Sequence, residues 1–327
     1  MTNLKTSILN GLERLPLIKE IAAHRDELRS LVIQQQSELE NLRQDLAALQ
    51  RSAGFVPPGH FYSPIPSLDE VKAQEAKLFG NCPAVIPGID LRESEQLALL
   101  GELAEFYGEM PFQPTRQAHL RYYFENPAYS YSDAICLYSM IRRVKPGKIM
   151  EIGSGFSSCV MLDTNELFFQ GNISTTFIEP YPELLYSLVK EEDKPSLRVI
   201  PKKLQEVDVA EFDALQANDI LFIDSTHVSK INSDVNTIFF ELFPRLPSGC
   251  YVHIHDIFYP FEYPKEWLYE GKAWNEAYML RAFLQYNREF PIILMNTYLE
   301  HFHESFFQEY MPLCLVNRGG SIWLRKN

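Results

Sequence analysis

Titratable side chains gather behind two short apolar runs. Asp224, Ser225 and His227 follow Leu-Phe-Ile, and His253, His255 and Asp256 close the run Tyr-Val-His-Ile-His-Asp. Histidines and carboxylates meeting at one edge can take a proton from a hydroxyl, which is a poor nucleophile until it loses that proton. Two arrangements fit. In one, His227 or His255 is a general base oriented by a carboxylate. In the other, Asp224, His255 and Asp256 supply part of an octahedral site for magnesium or manganese, with the imidazole tilting the choice toward manganese or iron. His253 alternates with Val252 and Ile254, which predicts packing within the sheet.

A second constellation runs from Lys148 to Ser158, Lys-Ile-Met-Glu-Ile-Gly-Ser-Gly-Phe-Ser-Ser. It reads as a buried strand, a tight turn at Gly153-Ser154-Gly155 and the start of a helix, which together make a nucleotide-binding corner. A dinucleotide fingerprint needs a third glycine where this chain has Ser158. Glu151 at the strand end repels a pyrophosphate but suits a cationic amino-acid head such as that of S-adenosylmethionine. A nicotinamide coenzyme is therefore disfavoured.

The order of Met-Glu-Ile-Gly-Ser-Gly, Phe-Ile-Glu-Pro and Leu-Phe-Ile-Asp-Ser-Thr-His resembles a class I S-adenosylmethionine-dependent methyltransferase over roughly residues 129 to 327. The stretch His-Ile-His-Asp-Ile-Phe-Tyr-Pro resembles a bacterial branch whose members often modify sugars or secondary metabolites. The resemblance implies a cofactor across the carboxyl ends of the strands, with Glu151, Gly153, Ser154, Gly155, Ser158, Asp224 and Ser225 around it. Glu179, followed by Pro180, would take the ribose diol, and Leu204 would edge the adenine. Sugar-modifying relatives often carry an acid pair after the fifth strand, whereas this chain has His255 before Asp256. The aromatic stretch after Asp256 suits a flat or sugar acceptor or a lid, which makes Tyr259, Tyr263 and Trp267 candidate acceptor contacts, with Tyr62 from an earlier loop. His301 and His303 resemble metal spacing, but aromatic neighbours point to a surface segment. Transfer to an amine remains open beside transfer to oxygen, as does a non-catalytic assembly module with a Rossmann-like domain.

From Lys148 onward strand and helix alternate, which predicts an α/β fold with a Rossmann-like doubly wound sheet. Seven strands are expected at 148–152, 174–178, 197–200, 220–223, 250–255, 292–296 and 321–325. The last two would form a terminal antiparallel hairpin without a helix of comparable length between them. Helices are expected at 68–78, 94–107, 129–144, 157–168, 182–189, 233–243 and 273–286. Residues 1–53 read as a helical extension, 54–128 as a strap and helical cap, and 129–327 as the cofactor-binding domain. In the extension, Ile18, Val32, Leu39 and Leu46 share one heptad register and Ile21, Leu28, Leu42 and Leu49 another, interrupted by Arg25 and Gln35. That pattern predicts a coiled coil, a helical hairpin arm or an amphipathic helix on its own domain, and offers a route to a homo-oligomer. Gly54 to Pro66 carries four prolines and reads as a strap with buried aromatics, near which His60, Tyr62 and Ser63 could line a site.

Composition narrows the function classes. The 327 residues are 46% hydrophobic and 22% charged, as in ordinary globular chains. A net charge of −13 argues against nucleic acid or anionic membrane as the main partner. No run approaches the roughly 20 apolar residues of a membrane span, and the N-terminus has no export-signal pattern. The five cysteines lack Cys-x-x-Cys pairing and read as reduced thiols of a cytoplasmic protein.

Overall fold

A computed structural model of the chain describes residues 16–52 and 54–327. The chain divides into two compact units, Met1–Ala73 and Gln74–Asn327. Among the described residues, no helix is long and apolar enough to cross a membrane.

The first unit is dominated by α1 (Pro16–Ser52), one unbroken helix rather than a hairpin, followed by α2 (Leu68–Ala73). After Pro16 nothing in α1 breaks a helix: it contains neither glycine nor a second proline. Between the helices, 54–66 folds as local turns, with Gly59 N donating to Ile65 O and Ser63 N donating to His60 O. The expected burial of the strap's aromatics is not found. Phe55, Phe61 and Tyr62 are exposed and pack on one another, because turns this tight leave no room to fold rings beneath them.

The second unit opens with α3 (Glu75–Phe79), α4 (Glu93–Ala104) and α5 (Tyr131–Val144). Every residue of α5 from Tyr131 to Ile141 is buried, which explains its apolar character on more than one face. The sheet order is β3-β2-β1-β4-β5-β7-β6. It is built from β1 (Lys148–Ile152), β2 (Ser174–Ile178), β3 (Arg198–Ile200), β4 (Ile220–Ile223), β5 (Tyr251–His255), β6 (Ile292–Met295) and β7 (Ser321–Arg325). The first five are parallel, and β7 runs antiparallel to both β5 and β6. Helices cover both faces, so β4 is the uninterrupted apolar run Ile-Leu-Phe-Ile, buried throughout. Each such side chain contributes roughly 1.5–3 kcal/mol on burial.

The connecting helices are α6 (Phe156–Phe169), α7 (Glu183–Leu188), α8 (Asp234–Thr237), α9 (Lys265–Tyr269), α10 (Glu276–Leu284), α11 (Asn296–Phe302) and α12 (Glu304–Tyr310). The helix expected at 233–243 continues from α8 as a π turn at Ile238–Leu242, and Ser233 Oγ caps its start by accepting from Asn236 N. The expectation that no comparable helix joins the last two strands is corrected by α11 and α12. Their aromatic content, Tyr298, Phe302, Phe306 and Phe307, hid the helical period. Strand order reverses between β1 and β4, and the crevice outside their carboxyl ends is where ligands bind in this architecture.

Candidate active site

The tips of β1 and β4 touch. Gly153 has φ +80°, and a Cβ there would stand 2.1 Å from the Asp224 carbonyl oxygen, so only glycine lets the strands close. Gly153 N donates to Ile178 O, and Asp224 N donates to Ile152 O, which ties three strand ends together. Beside them opens a cavity of about 540 Å³, lined by Gly153, Glu179, Pro180, Leu204, Asp224 and Ser225 among others. All six were predicted from sequence. Glu179 is oriented by two backbone donors, Ser154 N at 3.1 Å and Tyr181 N at 2.8 Å.

Glu151, Gly155 and Ser158 sit behind the cavity wall. The Glu151 carboxylate is fully buried and accepts from the Ser157 and Ser158 hydroxyls, each at 2.5 Å. It clamps the first turn of α6 to β1. Burial pushes its pKa up to about 8 against the pull of those hydroxyls, with the charges of Asp224 and Glu179 adding to the rise. Ser158 Oγ also accepts from Gly155 N. The Ser154 hydroxyl is buried with no hydrogen-bond partner among the described residues.

At the cavity's edge three donors converge. His227 Nε2 lies 3.3 Å from Asp224 Oδ1 and 3.4 Å from Asp256 Oδ2. One ligand atom from each of the three lies within 4.8 Å of the others. His227 and Asp256 both adopt left-handed backbone, φ 59° and 56°, a conformation that non-glycine residues keep only where surroundings enforce it. The enforcement at His227 comes from the start of α10: its carbonyl accepts from Asn275 N and Glu276 N, and its Nδ1 lies 2.8 Å from Glu276 Oε2. Glu276 is fully buried and also accepts from Ser225 Oγ at 2.9 Å. Burial opposes a charge on His227, but hydrogen bonds to Asp224 and Glu276 outweigh it and raise the pKa to about 10. Burial lifts Asp256 above the usual carboxylate range, while His255 and His227 oppose it.

His255 occupies a different place from the one expected. Its Nε2 stands 3.5 Å from Asp256 Oδ1, and its ring packs on Tyr129 and His253. The group able to hold a cation therefore contains His227 where the sequence suggested His255, because β5 turns His255 inward while the loop after β4 swings His227 over the strand tips. His253 is a core residue, stacked on Phe222 with ring centroids 4.1 Å apart, and desolvation lowers its pKa far below the ordinary value. His303 pairs with Glu93 on the surface.

The acceptor candidates divide. Tyr259 is a strap: its hydroxyl donates to the Pro83 carbonyl, and its ring packs on Tyr298 and Phe302. The Tyr263 hydroxyl accepts from Ala277 N at the start of α10. Trp267 packs edge-on against Trp274, whose ring centroid lies 4.4 Å from that of His227. Tyr62 belongs to the first unit and is exposed. Trp274 and Glu276 escaped the sequence reading. A helix-initial glutamate reads as a partner for the helix dipole, and nothing local announces a contact 49 residues away.

The glycine corner, the acidic strand tips and the 3-2-1-4-5-7-6 sheet define a class I S-adenosylmethionine-dependent methyltransferase. Residues 150–257 match the family model described as a methyltransferase domain. The chain belongs to one family with an uncharacterised protein of Archaeoglobus fulgidus, 34% identical over 184 residues that cover 53% of this chain and 80% of that protein. Among solved structures, it resembles an S-adenosylhomocysteine-bound methyltransferase of Podospora anserina, at 14% identity and TM-score 0.39, covering 81% of this chain and 99% of that one. It also resembles an O-methyltransferase of tomaymycin synthesis from Streptomyces achromogenes, solved with S-adenosylmethionine. That match has 13% identity and TM-score 0.38, covering 79% and 96% of the two chains.

Proposed function

We propose that this methyltransferase acts on a hydroxyl of a sugar or small hydroxylated metabolite, with Asp224, His227 and Asp256 holding a divalent cation beside the acceptor. One observation carries this reading. The Asp224 carboxylate lines the cofactor cavity and also faces His227 Nε2, so acceptor-activating groups stand at the cavity's edge.

The residues fit the cofactor. Glu179 presents a carboxylate held by two amides, suited to a ribose diol, and the buried Ser154 hydroxyl awaits a partner. Bound S-adenosylmethionine supplies a sulfonium methyl open to in-line displacement. They also fit a cation. Asp224, Asp256 and Glu276 bring three carboxylates to one imidazole, a surplus of negative charge in a largely buried place. A divalent ion supplies Lewis acidity that lowers the pKa of the acceptor hydroxyl, and the imidazole nitrogen favours manganese over magnesium.

The remaining work falls to the chain. Glu276 engages His227 Nδ1 and so turns Nε2 toward Asp224 and Asp256. Trp274 covers the His227 ring, and with Trp267 it offers flat apolar faces for an acceptor ring while excluding water. Tyr263 remains a proposed acceptor contact.

The test combines calorimetry with S-adenosylhomocysteine and a screen of sugars, phenols and amines for S-adenosylhomocysteine release. Binding of the product with turnover of hydroxyl acceptors supports the reading. Turnover of amines alone would replace it with N-methylation.

A further inference from the structure

We propose that α1 is one strand of a two-stranded coiled coil formed with a second copy of this chain. Ile18, Arg25, Val32, Leu39 and Leu46 occupy one heptad position along α1, and Ile21, Leu28, Gln35, Leu42 and Leu49 the position three residues on. The repeat spans five heptads, beyond the three to four that make a coiled-coil seam persuasive. At 1.5 Å per residue the helix is about 55 Å long.

Nothing among its described side chains is buried. Leu28 is 52% exposed, Leu39 50% and Leu42 61%, so the apolar seam is open from Ile21 to Leu46. A solvated helix takes little stability from propensity alone and needs packing on its apolar face.

The pattern selects a copy of itself as the occupant. In a parallel pair, Glu38 flanks the seam on one side and meets Arg43, five residues on, from the second helix, an acid-to-base contact made twice by symmetry. Gln35 meets its own counterpart, and an amide can both donate to and accept from an identical amide. Of the ion pairs within α1, His24 with Glu27, Arg29 with Asp26 and Arg43 with Glu40 involve no core position of the seam, while Arg25, at a core position, pairs with its neighbour Asp26. No seam residue is among those proposed for methyl transfer, so this inference stands or falls independently of the proposed acceptor.

Sedimentation equilibrium of the full chain at micromolar concentration tests it. The expected mass is twice the 37.9 kDa of one chain. Leu28→Lys combined with Leu39→Lys should convert it to monomer while leaving S-adenosylhomocysteine affinity unchanged. Ile33→Lys is the control: Ile33 is more exposed, at 67%, but lies off the seam, so its variant should stay dimeric. A monomeric wild-type chain overturns the proposal, with α1 then serving its own chain or another protein. So does a dimer that survives the seam variant or is lost equally in the control.

Discussion

His227 Nδ1 lies 2.8 Å from a carboxylate oxygen of Glu276, although 49 residues separate the two. The contact joins the loop after β4 to the start of α10, and it decides which imidazole nitrogen is left to face Asp224 and Asp256. Replacing Glu276 with glutamine keeps the shape and removes the charge. Outer-shell partners of ligating histidines are typically worth 10–100-fold. We expect Glu276→Gln to lower kcat/KM by about 10–100-fold and to leave cofactor Kd in place. Unaltered turnover would remove Glu276 from the mechanism.

Cation dependence is the outcome expected of the proposed ion-holding role of Asp224, His227 and Asp256. Prolonged chelation should abolish turnover, and manganese should restore it better than magnesium. Manganese should also raise the Tm of the wild type, and Asp256→Asn should resist restoration and show no such rise. Full activity after chelation, with no response to added ions, would return the reading to base catalysis by a side chain.

Glu179 should govern cofactor affinity. Hydrogen bonds to charged groups are worth about 1.5–3 kcal/mol, so Glu179→Ala should weaken S-adenosylhomocysteine binding roughly 10–100-fold. Because the carboxylate also orients Ser154 N and Tyr181 N, circular dichroism must confirm an intact fold. An unchanged Kd by calorimetry would displace the ribose from this cavity wall.

Glu151 should make stability pH-dependent. Its folded pKa of about 8 lies above the ordinary value of 4.5, so the folded state holds this proton more tightly than the unfolded chain. The contribution is whole below about pH 4 and is lost as pH rises through about 8, for a total on the order of a few kcal/mol. Glu151→Gln mimics the protonated acid. Its Tm relative to wild type should therefore improve between pH 5 and pH 9, and a difference independent of pH would show that Glu151 is ionised in the fold.

Much of the framework was legible from residue patterns. Strands β1, β2, β4 and β7 fall on the predicted residues, since each is a short run of apolar and β-branched residues between turn signals. The wall of the cavity was equally readable, because Gly153, Glu179 and Asp224 stand at strand ends, where local order alone implies proximity. Helices α11 and α12 were missed where aromatic crowding blurs the 3.6-residue period.

Neighbouring residues encode the alternation of strands and helices, the glycine corner and the acids at the strand tips, so all three could be read locally. Long-range packing chose which histidine joins Asp224 and Asp256, made Glu151 a buried clamp and Tyr259 a strap, and brought Trp274 and Glu276 to His227. Those outcomes depend on loops crossing strand tips and on a helix start arriving from 49 residues away, and no local period or spacing encodes such an encounter.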